Sequence, residues 1–170
     1  FSGREPSASI DTTRLLKRIN KEDSKNYIGF ITNGMGDENF YSSVKNIVNY
    51  IEFSIEGNHS HNDYIRGKDN FARVLNLIRI QSINFVQQKV NISTTITKSG
   101  MNNYLLLLST FNTIGVNKFF ITHLLNSGNA TQYLSNEHLD AFDWICFIDK
   151  IRDYLNKNNL GISIKIHIPH

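Results

Sequence analysis

The residues of this sequence that are best suited to ligand chemistry follow short β-like runs and stand beside glycines. The main candidates are Gly3-Arg4-Glu5, Thr32-Asn33-Gly34, Ser54 and Arg66. A glycine loop lets backbone groups approach a ligand closely, because no Cβ intervenes. An arginine can clamp a carboxylate with two parallel hydrogen bonds, and a serine can donate one more. Each of these two side chains could therefore contact a carboxylate group.

Each candidate also has a purely structural interpretation. An arginine after a strand is more often half of a surface ion pair, here with Asp63 or Asp69. Thr-Asn-Gly is a good turn for conformational reasons alone, and an apolar strand-end residue such as Leu124 is usually core. His123, at another strand end, is either a near-core histidine or a group that faces the substrate. The residues alone leave these alternatives open.

Thiols and imidazoles offer little further chemistry. Cys146 is the single cysteine and lies in an apolar helical stretch, where a buried structural thiol is the default interpretation. One cysteine cannot form a disulfide framework, which makes a reducing cytoplasm the simplest compartment. The spacings of His59 with His61 and of His167 with His170 suit a metal, but neither pair has a clear third ligand.

Composition narrows the classes of function. The chain has 170 residues, of which 40% are hydrophobic and 19% charged, as expected for one globular domain. Its net charge is +3, yet the lysines and arginines are scattered singly and form no basic stripe, which argues against a nucleic-acid partner. No apolar run approaches the roughly 20 residues of a membrane helix, so we expect no membrane partner.

Short β-rich runs alternate with helical patterns along the chain. Six strands are predicted, at 1–2 (a stub), 26–31, 50–55, 90–97, 118–125 and 162–168. Apolar residues at helical spacing predict helices between them, within 15–19, 40–48, 71–78, 105–111 and 139–148. In the last helix the face predicted to cover the sheet comprises Leu139, Phe142, Cys146 and Ile148.

Strict alternation of strands and helices makes consecutive strands parallel. An α/β barrel, or an arc of one, satisfies this pattern. A doubly wound open sheet satisfies it equally well. In both architectures ligands bind at the carboxyl ends of the strands, where the candidate residues lie.

At these strand ends the sequence resembles the radical S-adenosylmethionine (SAM) enzymes. Segment 2–6, Ser-Gly-Arg-Glu-Pro, resembles their Ser/Thr-Gly-Gly-Glu-Pro motif after the second strand, and Thr-Asn-Gly at 32–34 resembles the motif of their third strand. Ser-Ile-Glu-Gly at 54–57, followed by His-Asn-Asp-Tyr-Ile-Arg-Gly at 61–67, is similar to the SPASM-type subgroup that matures peptides and sulfatases. Segments 94–98 and 121–128 continue the resemblance in order, so it covers nearly the whole chain.

The resemblance implies a radical SAM core domain over residues 1–170, with an α/β fold. It implies a partial (β/α)6 TIM-like barrel of parallel strands and outer helices, in which the chain starts at the second strand and the first is missing. The cofactor-binding residues that it implies are Gly3, Arg4, Glu5, Thr32, Asn33, Ser54, Arg66 and Leu124. The glycine loop would meet the methionyl ammonium of SAM, the serine and arginine its carboxylate, and the leucine its adenine.

The resemblance further implies a reaction of the parent protein. A [4Fe-4S] cluster would reductively cleave SAM to a 5'-deoxyadenosyl radical, which would modify a peptide or protein substrate. The electron donor would be a protein such as flavodoxin or ferredoxin. The cluster needs three thiolates in Cys-x3-Cys-x2-Cys spacing after the first strand, and this sequence has only Cys146. We therefore expect the chain alone to bind no cluster and to be inactive, with the cysteines lying before Phe1.

Two further positions depart from the family pattern. Arg4 stands where the family prefers a second glycine, and Glu56 replaces the usual aspartate. The substitution at Arg4 would suit a second hypothesis, a degenerate, non-catalytic barrel that serves as a binding or scaffold domain.

Overall fold

The computed structural model describes residues 5–23, 25–84, 89–116, 118–125 and 129–167. Its strands are β1 (Gly29–Thr32), β2 (Tyr50–Ser54), β3 (Lys89–Ile96), β4 (Lys118–His123) and β5 (Ser163–His167). Its α-helices are α1 (Ile10–Glu22), α2 (Glu38–Val44), α3 (His59–Arg66), α4 (Asn70–Asn84), α5 (Tyr104–Asn112), α6 (Asn129–Tyr133) and α7 (Ala141–Asn158). Short 3-10 helices occupy Pro6–Ala8, Met101–Asn103 and Ser135–Glu137.

The five strands form one parallel sheet in the order β1-β2-β3-β4-β5. A doubly wound sheet reverses its strand order at a switch point, and the five described strands show no such reversal. The predicted α/β class and parallel pairing are therefore confirmed. The stub predicted at 1–2 lies outside the described residues, and closure into a partial barrel stays a prediction.

The two faces of the sheet differ in chemistry, because side chains alternate along each strand. On one face the buried residues are apolar, as at Phe53, Ile92 and Phe119, which are register partners across three strands. The opposite face is mostly polar, and its residues include Glu52, Ser54, Asn91, Ser93, Thr95, Lys118, Phe120, Thr122, Lys165 and His167.

Helices cover the apolar face and complete a single core. The helical members of this core include Leu16 of α1, Val74 and Ile78 of α4, Leu108 of α5 and Phe147 of α7. Burying such side chains supplies the main favourable term in folding. The residues of the polar face are not part of this core.

The face predicted for α7 is wrong at its aromatic position. Phe142 is 73% exposed, whereas Trp144, Phe147 and Ile151 are buried against the core. Apolar residues lie on both sides of this helix. Its periodicity alone therefore did not show that the buried face is the one with residues 144, 147 and 151. Cys146, predicted to be buried, is only half-buried.

None of the helices in the described ranges combines the length and the apolarity needed to cross a bilayer.

The two phenylalanines of α7 provide a matched test of the observed packing. Phe147 is 1% exposed and Phe142 is 73% exposed. We expect Phe147→Ala to lower the free energy of unfolding by about 3–5 kcal/mol, because it removes buried apolar contacts and leaves a cavity. Phe142→Ala should change it by less than about 0.5 kcal/mol. Urea denaturation followed by circular dichroism measures both, and equal losses would contradict the observed face.

Candidate functional site

A cleft of about 360 Å³ opens at the carboxyl ends of β1 and β2. It is lined by Glu5, Pro6, Ile31, Thr32, Asn33, Ser54 and Arg66. Five of the eight predicted cofactor-binding residues therefore share one cavity, although they come from four separate segments of the chain. Leu124 is buried after β4 and does not line this cleft. Gly3 and Arg4 lie outside the described residues.

Glu5 ties the segment before α1 to the end of β1. Its Oε1 accepts hydrogen bonds from the Thr32 hydroxyl at 2.5 Å and from the Ser7 amide at 3.0 Å, and also from the Ser7 hydroxyl. Its Oε2 accepts from the Asn33 amide at 2.7 Å. Burial pulls the pKa of Glu5 upward, but the hydrogen bonds from Asn33, Ser7 and Thr32 outweigh burial and leave its pKa below the ordinary value. These hydrogen bonds join the segment before α1 to the turn after β1, and they stabilise this side of the cleft.

Thr32 and Asn33 also use their side chains inside the turn after β1. Thr32 Oγ1 accepts from the Gly34 amide at 3.1 Å, and Asn33 Oδ1 accepts from the Met35 amide at 2.9 Å. Gly34 has a φ of +78°, and a Cβ there would lie 2.5 Å from a methyl group of Val74, so only glycine fits. Thr32 Oγ1 and Asn33 Oδ1 therefore have the conformational role, and a contact of either residue with a ligand stays a prediction.

Arg66 reaches the cleft from the last turn of α3. The helix starts at its N-cap Asn58, whose side chain accepts from the His61 amide, and ends at Gly67 with a φ of +99°. Arg66 Nη2 pairs with Glu56 Oε1, and the exposed fractions of these side chains are 23% and 5%. Its Nε is buried without a hydrogen-bond partner among the described residues. The guanidinium is therefore anchored at one end and retains an unused donor.

The alternative ion pairs for Arg66 are wrong. Asp63 accepts instead from the Asp69 amide at 2.7 Å and the Phe71 amide at 2.8 Å, which shapes the turn between α3 and α4. Burial raises the pKa of Asp63, but those two backbone hydrogen bonds, with smaller contributions from Asn62 and His59, bring it below its ordinary value.

Glu56 and Asn62 are structural members of the site that sequence reasoning missed. The second oxygen of Glu56, Oε2, accepts from the Thr95 amide at 2.7 Å, so its carboxylate bridges α3 and β3. Asn62 is fully buried; its Oδ1 accepts from the Glu56 amide at 3.0 Å and its Nδ2 donates to Asn70 Oδ1 at 2.9 Å. An asparagine inside a helix carries no sequence signal for such a role, because its partners come from other segments.

Ser54 ends β2 and faces the cleft from the polar side of the sheet. Its hydroxyl lies 3.4 Å from that of Ser93, its register partner on β3. The predicted combination of Ser54 and Arg66 is thus found on the same cavity wall.

His59 and His61 contact different polar side chains. His59 Nε2 lies 3.2 Å from Asp63 Oδ2, and His61 Nε2 lies 2.9 Å from Thr97 Oγ1. Burial lowers the pKa of His61, whereas nearby Glu137 and Glu56 oppose that shift. His123 Nδ1 is buried without a hydrogen-bond partner in the described part of the chain, and burial is the main cause of its lowered pKa. No group of three or more His, Cys, Asp or Glu within the described ranges could hold a metal ion.

Among known proteins, only solved structures match this chain. No protein-family model and no curated protein matches the chain. SuiB from Streptococcus suis matches with a TM-score of 0.82 at 17% identity, over 99% of this chain and 38% of SuiB. The chain has the fold of this part of SuiB. SuiB structures bound to S-adenosylmethionine and to precursor peptide SuiA match with TM-scores of 0.80 and 0.77, each at 16% identity over 99% of this chain and 37% of SuiB.

Two other solved structures share the fold. A domain of pyruvate-formate lyase-activating enzyme from Bacteroides vulgatus matches with a TM-score of 0.70 at 12% identity, over 99% of this chain and 97% of that domain. Native anSMEcpe with bound AdoMet and Kp18Cys peptide matches with a TM-score of 0.76 at 19% identity, over 96% of this chain and 48% of anSMEcpe. The chain spans less than half the length of SuiB and anSMEcpe.

The hydrogen bonds around Glu5 predict a pH-dependent contribution to stability. The folded-state pKa of Glu5 lies below its ordinary value of 4.5, so the contribution is complete above that pH and is lost as the pH falls through the folded-state pKa. We expect Glu5→Gln to lower the free energy of unfolding at pH 7 by about 1–3 kcal/mol, because the substitution removes charge-assisted hydrogen bonds.

Urea denaturation at several pH values measures this effect, and the gap between wild type and variant should shrink below pH 4.5. The matched control is Glu22→Gln, which removes an exposed ion pair with Arg18 and should cost no more than about 0.5 kcal/mol. A gap that stays constant to low pH would show that the Glu5 carboxylate does not supply the stability.

Proposed function

We propose that this chain is the SAM-binding part of a radical SAM enzyme that acts on a peptide or protein. The fold supports the proposal, because SuiB, anSMEcpe and the pyruvate-formate lyase-activating enzyme domain are radical SAM enzymes. The observation that carries it is the cleft at the carboxyl ends of β1 and β2, where Ser54 and Arg66 meet Glu5, Thr32 and Asn33. SuiB bound to SuiA, and anSMEcpe with its bound peptide, support the substrate class.

Arg66 suits the carboxylate of an amino-acid ligand. Its pairing with the nearly buried Glu56 fixes one end of the guanidinium, so little side-chain freedom remains to be lost on binding. The buried Nε without a partner among the described residues is a donor that a ligand carboxylate would satisfy. Glu5 supports the cleft through its side chain, and the adjoining glycine loop would present backbone groups to the ligand ammonium.

The remaining cofactor residues are part of the same proposal. Gly3 and Arg4 would complete the loop that meets the methionyl group. Leu124 would line the adenine from the end of β4; it is buried beside the core, so such a contact would use only its outer edge. Thr32 would contribute the cleft wall rather than a free donor, since its hydroxyl donates to Glu5. Asn33 holds the turn through its Oδ1, so its side-chain NH2 group would be the donor that it offers to a ligand.

The residues of this chain do not fit a [4Fe-4S] cluster. Three thiolates are required, and the sequence has one cysteine, Cys146, half-buried within α7 on the far side of the sheet from the polar face. We therefore assign reductive cleavage of SAM to the parent protein, with its electron donor, and infer that the chain alone binds SAM without cleaving it. A reducing cytoplasm suits a chain with one unpaired thiol.

The test of the enzymatic claim uses the parent protein. The coding sequence upstream of Phe1 should encode three cysteines in Cys-x3-Cys-x2-Cys spacing, and the reconstituted protein should release 5'-deoxyadenosine from SAM under reducing conditions. A parent protein that binds a full cluster yet releases no 5'-deoxyadenosine would favour the scaffold hypothesis instead. Absence of the three cysteines from the full-length gene would remove the enzymatic claim.

Arg66→Lys tests the SAM site directly. Lysine keeps the positive charge beside Glu56 but loses the planar fork, and the two are not equivalent at a bidentate site. We expect SAM affinity, measured by isothermal titration calorimetry, to fall roughly tenfold or more, as for the loss of a charge-assisted hydrogen bond.

Arg152→Lys is the matched control, because Arg152 makes an exposed pair with Asp149 on α7. It should leave SAM affinity within about twofold of wild type, since exposed pairs contribute little. Equal affinities for the Arg66 variant and wild type would contradict the proposed clamp, provided that both unfold at the same temperature.

A further inference from the structure

Three lysines that are far apart in the sequence lie on one face of the sheet. Lys89 of β3, Lys118 of β4 and Lys165 of β5 all belong to the polar face, which also carries Ser54 at the cleft. None of the three forms an ion pair with another residue in the described ranges. The face therefore holds positive charge that no direct contact with a described residue neutralises.

Glu52 is the only acidic residue that the described strands place on this face. It lies on β2 and is 7% exposed. Burial raises the pKa of its carboxyl group, which favours the neutral form. Two strands, β3 and β4, separate it from Lys165. A single buried carboxyl group does not balance three lysines, so the net charge of the face is positive.

One row of residues connects the cleft to the charged part of this face. Ser54 lines the cleft and is the register partner of Ser93. Phe120 is the partner of Ser93 on β4, and Lys165 is the partner of Phe120 on β5. Neighbouring strands lie about 4.8 Å apart, so the backbone at Lys165 is about 14 Å from that at Ser54. The row thus continues from the cleft along one level of the sheet.

Phe120 brings a second ammonium group to this row. Lys118 is two residues nearer the amino end of β4, but its Nζ lies 5.3 Å from the centroid of the Phe120 ring. At this distance the face of the ring attracts the ammonium group. A lysine has three N–H donors, so some remain free for an anion. Lys118 and Phe120 are half-buried and Lys165 is exposed. An anion beside Phe120 would therefore have a lysine on each of two neighbouring strands.

Protection of the sheet edge explains only part of this arrangement. Lysines often protect the exposed edge of a sheet, and Lys165 lies on β5, the last strand of the described order. Lys118 lies on β4, which has a strand on each side and needs no such protection. Partial burial of its ammonium group without a counter-ion costs free energy. An anionic ligand would offset that cost.

We propose that Lys118 and Lys165 are specificity-determining residues, which bind the carboxylate of an aspartate or glutamate of the peptide substrate beside Phe120. The inference rests on the proposed function for the peptide nature of the partner. A peptide that reacts with a group generated from the ligand of the cleft must lie in contact with that ligand, and this row borders the cleft. The methylene groups of the acidic side chain would pack on Phe120, and its carboxylate would accept hydrogen bonds from the two lysines.

Selection from a library of short random peptides tests this charge preference. The displayed library is selected on the reconstituted parent protein in the presence of SAM, and we expect aspartate and glutamate to be enriched over the unselected library. A synthetic peptide from the enriched pool should bind about fivefold more tightly than its counterpart with glutamine in place of glutamate, as for an ion pair. That difference should shrink as salt is added, because salt screens exposed charges. Enrichment of neutral or basic peptides would overturn the proposal.

Charge reversal separates this contact from general attraction to a basic protein. In Lys165→Glu the selection should turn toward lysine and arginine, and in Lys165→Gln or Lys118→Gln the acidic preference should weaken without reversing. Lys150→Glu is the matched control, because Lys150 is exposed on α7, which packs on the other face of the sheet. It makes the same change in net charge and should keep the acidic preference. An equal preference in wild type and in variants that unfold at the wild-type temperature would overturn the proposal.

Calorimetry separates failure of this inference from failure of the proposed function. SAM should bind Lys165→Glu and wild type with affinities within about twofold, because Lys165 lies outside the cleft and salt screens exposed charges at that distance. SAM binding without acidic selection would overturn the acidic subsite and retain the SAM site. Acidic selection that depends on Lys165, in a protein that binds no SAM, would retain the subsite and remove the SAM site. Tighter binding of a single-stranded oligonucleotide than of the acidic peptide would assign the lysines to a phosphate backbone and overturn the proposal.

Discussion

The candidate site depends on the ion pair and the hydrogen bond made by the carboxylate of Glu56. One oxygen pairs with Arg66 and the other accepts from the Thr95 amide, while the Glu56 amide donates to the fully buried Asn62. These bonds join the segment after β2 to α3 and to β3. Because Glu56 is almost completely buried, removal of any one partner would leave a costly unsatisfied group. The position of Arg66 in the cleft is therefore set by packing and hydrogen bonding before a ligand arrives.

The unequal faces of the sheet make such a site possible. One face is sealed by helices around Phe53, Ile92 and Phe119 and supplies the stability of the domain. The other face carries hydroxyl, amide and charged groups, which lie outside the apolar core. Strand ends on that face can therefore present Ser54 and its neighbours to a ligand without weakening the core. The parallel order brings these ends to a single edge.

Local patterns in the sequence predicted the strands and their parallel pairing, whereas the combination of Ser54 with Arg66 was predicted from the family resemblance. β-branched runs and helical periodicity are properties of neighbouring residues, so they can be recognised in one chain. The partners of Glu5, Asp63 and Glu56 could not be recognised in this way, because each hydrogen bond depends on how separate turns are placed. The prediction of the buried face of α7 was wrong for a related reason. Phe142 and Phe147 are equally apolar, and only the position of the core distinguishes them. Contacts that depend on tertiary structure thus limited the prediction of the site.

The charges around the cleft agree with a ligand that carries a net positive charge. Glu56 and Arg66 cancel each other, which leaves the carboxylate of Glu5 as the net charge among the described lining groups. That negative charge is spread over donors from Ser7, Thr32 and Asn33 and is fixed in place rather than free to rotate. SAM has a sulfonium and an ammonium against one carboxylate, so its net charge is opposite to that of the cleft. A fixed opposite charge costs no reorganisation on binding.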